Sequence, residues 1–221
     1  MALSRDGEPV SLREEAGRDH ARKVAVFTDE LLRESGVDAD ELDAVAIGRG
    51  PGSYTGLRIG TSFAKGLCYA LGIPLVAVGS LEALAEIAVE DHEAGLFQSE
   101  DWASARLCPM IDARRMEVYT CVFDTSLRAL GDVTAEVVTP QSFDGFLHGG
   151  GEFFIFGNGA AKTVDVLPQG SVRLIEVETS ARGLCRPAQR LFDMGRTEDV
   201  AYFEPSYLKD FVVTTGKKKL F

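Results

Sequence analysis

Gly50-Pro51-Gly52-Ser53-Tyr54-Thr55-Gly56-Leu57-Arg58-Ile59-Gly60 is the stretch whose residue types and spacing most suggest chemistry. Glycine reaches positive φ and lets other groups approach the backbone closely, so a turn this rich in it suits a phosphate, a partner helix or tight packing. The phosphate reading meets two obstacles. A P-loop carries Gly-Lys-Ser/Thr at the helix start, so that the lysine reaches the phosphates and the hydroxyl holds magnesium; here Gly56 is followed by Leu57 and Arg58. A dinucleotide fingerprint carries G-x-G-x-x-G and an acidic residue about 20 positions later, where this chain has Ala77 and Val78. A turn that only packs a helix on its own sheet would use the same residues.

Asp112-Ala113-Arg114-Arg115 is the next most enzyme-like group, since an arginine at a strand end can hold a carboxylate or a phosphate. An ion pair that stabilises the turn is the simpler reading. Asp91, Glu93, Glu100 and Asp101 fall in a polar, irregular stretch where charge serves solvation. His20, His92 and His148 lie on separate elements and share no motif. Cys68, Cys108, Cys121 and Cys185 form no C-x-x-C pair and read as reduced, mostly buried small hydrophobes. No Ser-His-Asp or Cys-His set is recognisable by spacing, although such sets assemble across a fold.

Composition narrows the class. A net charge of −11 argues against a large nucleic-acid footprint, which needs clustered Lys and Arg, so any RNA would be held mainly by a partner. The one basic cluster, Lys217-Lys218-Lys219, reads as a solvated tail. No segment approaches the ~18 uninterrupted apolar residues of a membrane span, and reduced cysteines fit a cytoplasmic protein. At 221 residues, 45% of them hydrophobic, the chain suits two units of about 100 residues each.

The elements that must position these groups follow from periodicity and turn residues. Strands are expected near 2–4 and 9–13 around an Asp6-Gly7 hairpin turn, then a helix over 20–35 carrying Val24, Phe27 and Leu31 at helical spacing. A strand over 43–47, the glycine turn, a helix over 55–71 and a buried strand over 75–78 make a parallel crossover. Ser80 is placed to cap a helix over 81–89. Residues 91–103 look like a boundary, after which the order repeats: strands at 106–111, 116–123 and 132–138, a helix from Thr139-Pro140 to 147, a strand at 152–156, a helix from Gly157-Asn158-Gly159 to 167, a strand at 172–175, and a helix capped by Ser180 that Pro187 should break or kink. The second part reads β-β-β-α-β-α-β-α and the first β-β-α-β-α-β-α, its opening strand absent. The fold class is therefore α/β, a duplicated ribonuclease-H-like arrangement of the actin, sugar-kinase and Hsp70 class. The halves are expected at 1–103, with 196–221 packing back on it, and at 104–195. Losing a central strand would orphan backbone donors and acceptors, so a truncated or mis-assigned start is the expectation.

Residues 48–60, Asp112 to Tyr119, Gly157 to Ala160 and Glu204-Pro205-Ser206-Tyr207-Leu208 together resemble the motifs of the bacterial TsaB (YeaZ) family, in order and over nearly the whole chain. The resemblance implies a role in making N6-threonylcarbamoyladenosine (t6A) in tRNA, as a non-catalytic partner of a TsaD-type transferase and a TsaE-type ATPase. TsaD-like relatives carry a His-x-x-x-His metal pair where this chain has Ser80 and Leu84. No cofactor is expected on this chain alone, with ATP or ADP reserved for an interface in the complex. Family members associate through helices of the first half, so Val24, Phe27, Leu31, Gly56, Leu57, Gly60, Thr61, Ala64 and Cys68 are candidates for a partner or homodimer interface. Gly56, Gly60, Ala64 and Cys68 recur every fourth residue, a stripe that suits either a partner helix or the chain's own sheet. The family-motif turn comprises Gly50, Pro51, Gly52, Ser53, Tyr54, Thr55, Gly56 and Arg58. The competing readings are a free-standing actin-like ATPase or phosphotransferase and, more weakly, a peptidase.

Overall fold

The computed structural model describes residues 1–15 and 20–208, the side chains of 20–22 excepted; Lys217-Lys218-Lys219 and the side chain of His20 lie outside the described residues. The chain opens with a hairpin of β1 (Ala2–Arg5) and β2 (Glu8–Leu12), antiparallel with a bulge at Leu3/Ser4. Helix α1 (His20–Ser35) leads to β3 (Val45–Gly48), and α2 (Tyr54–Leu71) carries the chain over to β4 (Leu75–Val78), which pairs with β3 in parallel. Helix α2 starts where Ser53 accepts from the Gly56 amide at 3.3 Å, and stops where Gly72 turns left-handed.

Helix α3 runs over Ser80–Glu93, longer than expected, and Ser80 is its first residue rather than its cap; Gly79 takes the cap position. Its buried side is nearly continuous because β5 (Arg106–Asp112) packs along it and Ala83 joins Val76 and Val78 of β4 in one cluster. Strand β5 is the centre of the second half. It pairs antiparallel with β6 (Glu117–Thr120) and β7 (Phe123–Asp124), and parallel with β9 (Phe153–Phe156). Strand β8 (Thr134–Val137) extends the sheet beyond β6, and β10 (Arg173–Leu174) beyond β9. Leu107 and Ile111 pack toward α3, whereas Cys108 and Met110 join a second cluster with Val118, Phe153 and Leu167. Every interior position of β5 is thus buried, as befits a central strand covered on both faces.

Two expected helices are shorter than the sequence indicates. The segment after Thr139-Pro140 is helical only as α4 (Asp144–Leu147), because Phe143 adopts a left-handed conformation (φ 70°) that ends any earlier helix. After Gly157-Asn158-Gly159 only a 3-10 turn forms, over Ala161–Thr163. Helix α5 (Cys185–Asp193) follows a 3-10 turn that Ser180 begins by accepting from the Arg182 amide. Pro187 does not break α5, since it stands in the first turn, where a missing N–H costs nothing.

Helix α5 packs against β4 and α3, with Ala188 in a cluster with Val76, Val78 and Ala83. Leu75 and Ala77 face the other way, against Ala64, Cys68 and Phe203. The sheet of the first half is therefore covered on both faces. Among the described residues, β1–β2 and β3–β4 remain separate two-stranded pairs.

Candidate functional site

The glycine-rich turn leaves the end of β3 where its ladder with β4 closes. The Arg49 amide donates to Val78 O at 2.8 Å, and Gly50 O accepts from the Ser80 amide at 2.9 Å, so the turn is fixed to both β4 and α3. Gly50 has φ 105°, and a Cβ there would lie 2.7 Å from Ser206 O and 3.2 Å from Leu57 Cδ1. Glycine is required on both counts, conformation and space. Gly52, by contrast, has open space around it.

The occupant of that space is the C-terminal segment of the chain. The Ser206 amide donates to Arg49 O at 2.8 Å, and the rings of Tyr54 and Tyr207 meet with centroids 5.0 Å apart. Arg58 lies over the other side of this cluster, 5.1 Å from the Tyr54 ring. Arg49 and Glu198 form an ion pair, and the Glu198 amide donates to Leu75 O at 2.8 Å. Lys65 of α2 donates to Ala201 O at 3.0 Å and Phe203 O at 3.1 Å. The segment Glu198–Tyr207 is thus a strap clasped by the turn and by α2.

This clasp bears on the three readings of the turn. Ser53 engages both the Gly56 amide through its side chain and the Leu57 amide through its carbonyl at 2.8 Å. A phosphate at the start of α2 would have to displace an internal cap to reach two of the donors that such sites use. The residues are arranged for close packing of strand, helix and strap.

The stripe on α2 resolves in the same direction. Ala64 and Cys68 are buried against Leu75 and Ala77, Thr61 is buried, and a Cβ on Gly60 would meet Ile47 Cδ1 at 3.7 Å. These residues face the chain's own sheet. On α1, Leu31 is buried and Val24 and Phe27 are half-buried. The outward faces of the two helices carry Val26 and Tyr69 instead, 51% and 86% exposed.

Asp112 sits at the end of β5 with its carboxylate paired to Lys162 and accepting from the Arg114 amide at 3.0 Å; its own amide donates to Asn158 Oδ1 at 2.8 Å. The Lys162 ammonium holds the Asp112 carboxyl below the usual carboxylate range. Arg114 and Arg115 both take left-handed conformations in the tight β5–β6 connection. The group stabilises a turn, as the simpler reading expects, although its cation is Lys162 rather than either arginine.

Among the described residues, no group of three or more His, Cys, Asp or Glu side chains is placed to hold a metal ion. Leu84 is 1% exposed, inside the cluster shared by α3 and β5. His92 stacks flat on Trp102 at 3.8 Å. All four cysteines are free and buried, and burial pushes the Cys108 thiol up to about 12. The densest charge cluster joins α3 to α5: Arg182 bridges Glu90 and Asp91, each at 2.6 Å, Arg186 reaches Glu8 and Glu93, and Arg190 meets buried Glu86 at 2.6 Å. Burial raises the Glu90 carboxyl against the opposing pull of Arg182. These pairs fasten α3 to α5, to the 3-10 turn before it and, through Glu8, to β2.

With this geometry in place, similarity to other proteins has a structural frame. Residues 12–148 match the sequence profile of the family described as TsaD, tRNA N6-adenosine threonylcarbamoyltransferase. The tRNA threonylcarbamoyladenosine biosynthesis protein TsaB of Escherichia coli is 28% identical over 218 residues, 96% of this chain and 90% of that protein. The protein of the same name from Haemophilus influenzae is 39% identical over 119 residues, 54% of this chain and 46% of the relative. The solved structure of YeaZ from Pseudomonas aeruginosa superposes with a TM-score of 0.74 at 29% identity, over 94% of this chain and 92% of that one. The profile match over residues 12–148 includes the glycine turn, β4 and α3.

Proposed function

The chain belongs to the TsaB (YeaZ) family, and from that premise we propose that it acts in the biosynthesis of t6A in tRNA as a subunit without chemistry of its own. Its partners in this reading are a TsaD-type transferase and a TsaE-type ATPase, and tRNA reaches it only through the complex. The observation that carries the non-catalytic assignment is position 84. TsaD-like relatives place the second histidine of a metal pair there, whereas this chain has a leucine that is 1% exposed in the core. Ser80, at the other position, opens α3 and lies against Gly48.

A subunit that does no chemistry acts through its surface. The helices facing away from the sheet of the first half, α1 and α2, present Val26, Arg58 and Tyr69, and this is the face we assign to the partner. The buried members of the stripe, Thr61, Ala64 and Cys68, support that face from beneath. A homodimer through the same face would compete with the partner. Cofactors follow the same logic: no nucleotide on the isolated chain, with ATP or ADP held where two subunits meet.

The test is threonylcarbamoyl transfer to unmodified tRNA by a cognate TsaD-type transferase and TsaE-type ATPase, with and without this chain. Activity that depends on the chain is the expected result. Full activity without it would overturn the accessory role, and ATP turnover by the isolated chain would favour a free-standing enzyme. Tyr69→Asp, on the exposed face of α2, should weaken co-purification with the transferase at unchanged melting temperature; unchanged association would remove that face from the proposal.

A further inference from the structure

Arg114 and Arg115 are the members of the Asp112 motif whose side chains the turn does not use. Lys162 takes the carboxylate that sequence spacing offers to them, and neither arginine has an ion pair among the described residues. Both are exposed at the tip of the β5–β6 connection. Two guanidiniums, charged at any physiological pH, are thus adjacent in the chain without a counter-charge.

The backbone beneath them is held from several sides. Lys162 donates to Glu117 O at 2.8 Å as well as pairing with Asp112, the Ala113 amide donates to Glu117 O at 3.1 Å, and the Val138 amide to Met116 O at 3.1 Å. In that setting φ is 73° at Arg114 and 53° at Arg115. Glycine and asparagine turn this way with the least strain, whereas two successive arginines do so only where the surroundings impose it. Strain of this kind collects at binding sites. The tip fixes where two positive side chains leave the molecule, at a cost in stability that asparagine or glycine would spare.

The cleft beside the tip narrows what the arginines can receive. Asn158, whose side chain accepts from the Asp112 amide, also lines a cavity of about 750 Å³ whose wall carries Glu14, Asp91, Glu176 and Glu178. The cation on that wall, Arg182, is committed to Glu90 and Asp91, each at 2.6 Å. Such a lining repels the phosphates of a nucleotide, so an anion at the tip belongs to a body that stays outside the cleft.

We propose that Arg114 and Arg115 contact the phosphate backbone of the tRNA while the transferase holds it. The proposal deepens the t6A reading and rests on it. Two contacts suit a chain whose net charge of −11 opposes a broad nucleic-acid footprint. Guanidinium forks match phosphate oxygens in pairs, and phosphate contacts orient a nucleic acid without reading its sequence.

The probe is an unmodified tRNA transcript, titrated onto the complex of this chain with the cognate transferase over a range of salt. Two doubly substituted chains are compared with the wild type, Arg114→Gln with Arg115→Gln and Arg114→Asn with Arg115→Gly. Each should weaken tRNA binding about tenfold near about 0.1 M salt and flatten the slope of log K against log salt by about 1.4–1.8, two contacts at ~0.7–0.9 each. The second pair should also unfold at the same or a higher urea concentration, because its residues accept positive φ, so lost binding is not lost folding. Unchanged affinity and slope in both chains would overturn the contact. Loss of association with the transferase when tRNA is absent would overturn it too, and would assign the arginines to an acidic protein surface. Threonylcarbamoyl transfer separates this proposal from the reading beneath it: transfer that needs the chain but ignores both double substitutions overturns the contact alone, and transfer that never needs the chain overturns both.

Discussion

Gly50→Ala is the substitution with the clearest consequence, because it tests whether the glycine turn is a clasp for the strap. An alanine at φ 105° adopts a conformation that costs roughly 1–2 kcal/mol. Its Cβ would also stand 2.7 Å from Ser206 O, a backbone atom that cannot rotate aside. Moving the strap to relieve that contact breaks the Ser206-to-Arg49 hydrogen bond, worth about 1 kcal/mol. The total is about 2–3 kcal/mol, which for a chain of this size lowers the melting temperature by roughly 4–12 °C. Gly52→Ala is the control, since Gly52 has nothing within 4 Å and no positive φ, and it should shift stability by less than about 0.5 kcal/mol. Urea denaturation measures both, and limited proteolysis locates the effect: Gly50→Ala should expose sites within 198–208 before any in the second half. Two variants that agree within about 0.5 kcal/mol would refute the clasp.

Three further outcomes follow from the charge and burial already described. Arg190→Ala leaves Glu86, 3% exposed, with only Arg186 at 4.0 Å, and should cost about 2–3 kcal/mol in urea denaturation; removing both charges with Glu86→Leu and Arg190→Met should recover most of it. Asp112→Asn removes a carboxylate whose folded-state value is depressed by Lys162, so the wild-type advantage should be present above about pH 4 and disappear as acid protonates Asp112 in the fold. Because that side chain is 46% exposed, the advantage at pH 7 should stay below about 1 kcal/mol. Cys108, 0% exposed with its thiol pushed up to about 12, should react with a disulfide reagent at pH 8 only as fast as the whole chain unfolds, and its rate should follow stability across these variants.

Much of the fold was legible because local signals agreed with the tertiary ones. Helix α2 begins within one residue of its expected start, since Ser53 caps it and Gly72 ends it whatever the surroundings. The helices expected after Thr139-Pro140 and Gly157 failed for tertiary reasons. Phe143 turns left-handed and packs on Phe153, and Gly157 is pressed so near Met110 O that a Cβ would lie 2.6 Å away. Within the site, the turn was visible as a cluster of glycines. The return of 196–221 to the first half was expected, but not which of its residues meets the turn, because nothing in Glu204 to Leu208 indicates that Tyr207 reaches Tyr54. The four-residue stripe on α2 shows that Gly56, Gly60, Ala64 and Cys68 share a direction, but not which surface lies there. Only the packing of Cys68 and Ala64 on Leu75 and Ala77 answers that.

The strap and α5 also govern the order in which the molecule can be made. Phe203 completes the cluster around Ala64 and Leu75, Ala188 closes the opposite face of β4, and Lys65 waits for the carbonyls of Ala201 and Phe203. During synthesis, β4 therefore emerges from the ribosome on the order of ten seconds before the residues that cover it. The second half, whose central sheet is contiguous from β5 to β10, can close during that interval. The half made first is the half finished last, and any nascent chain halted before α5 leaves the Val76 and Val78 face of β4 without its Ala188 cover.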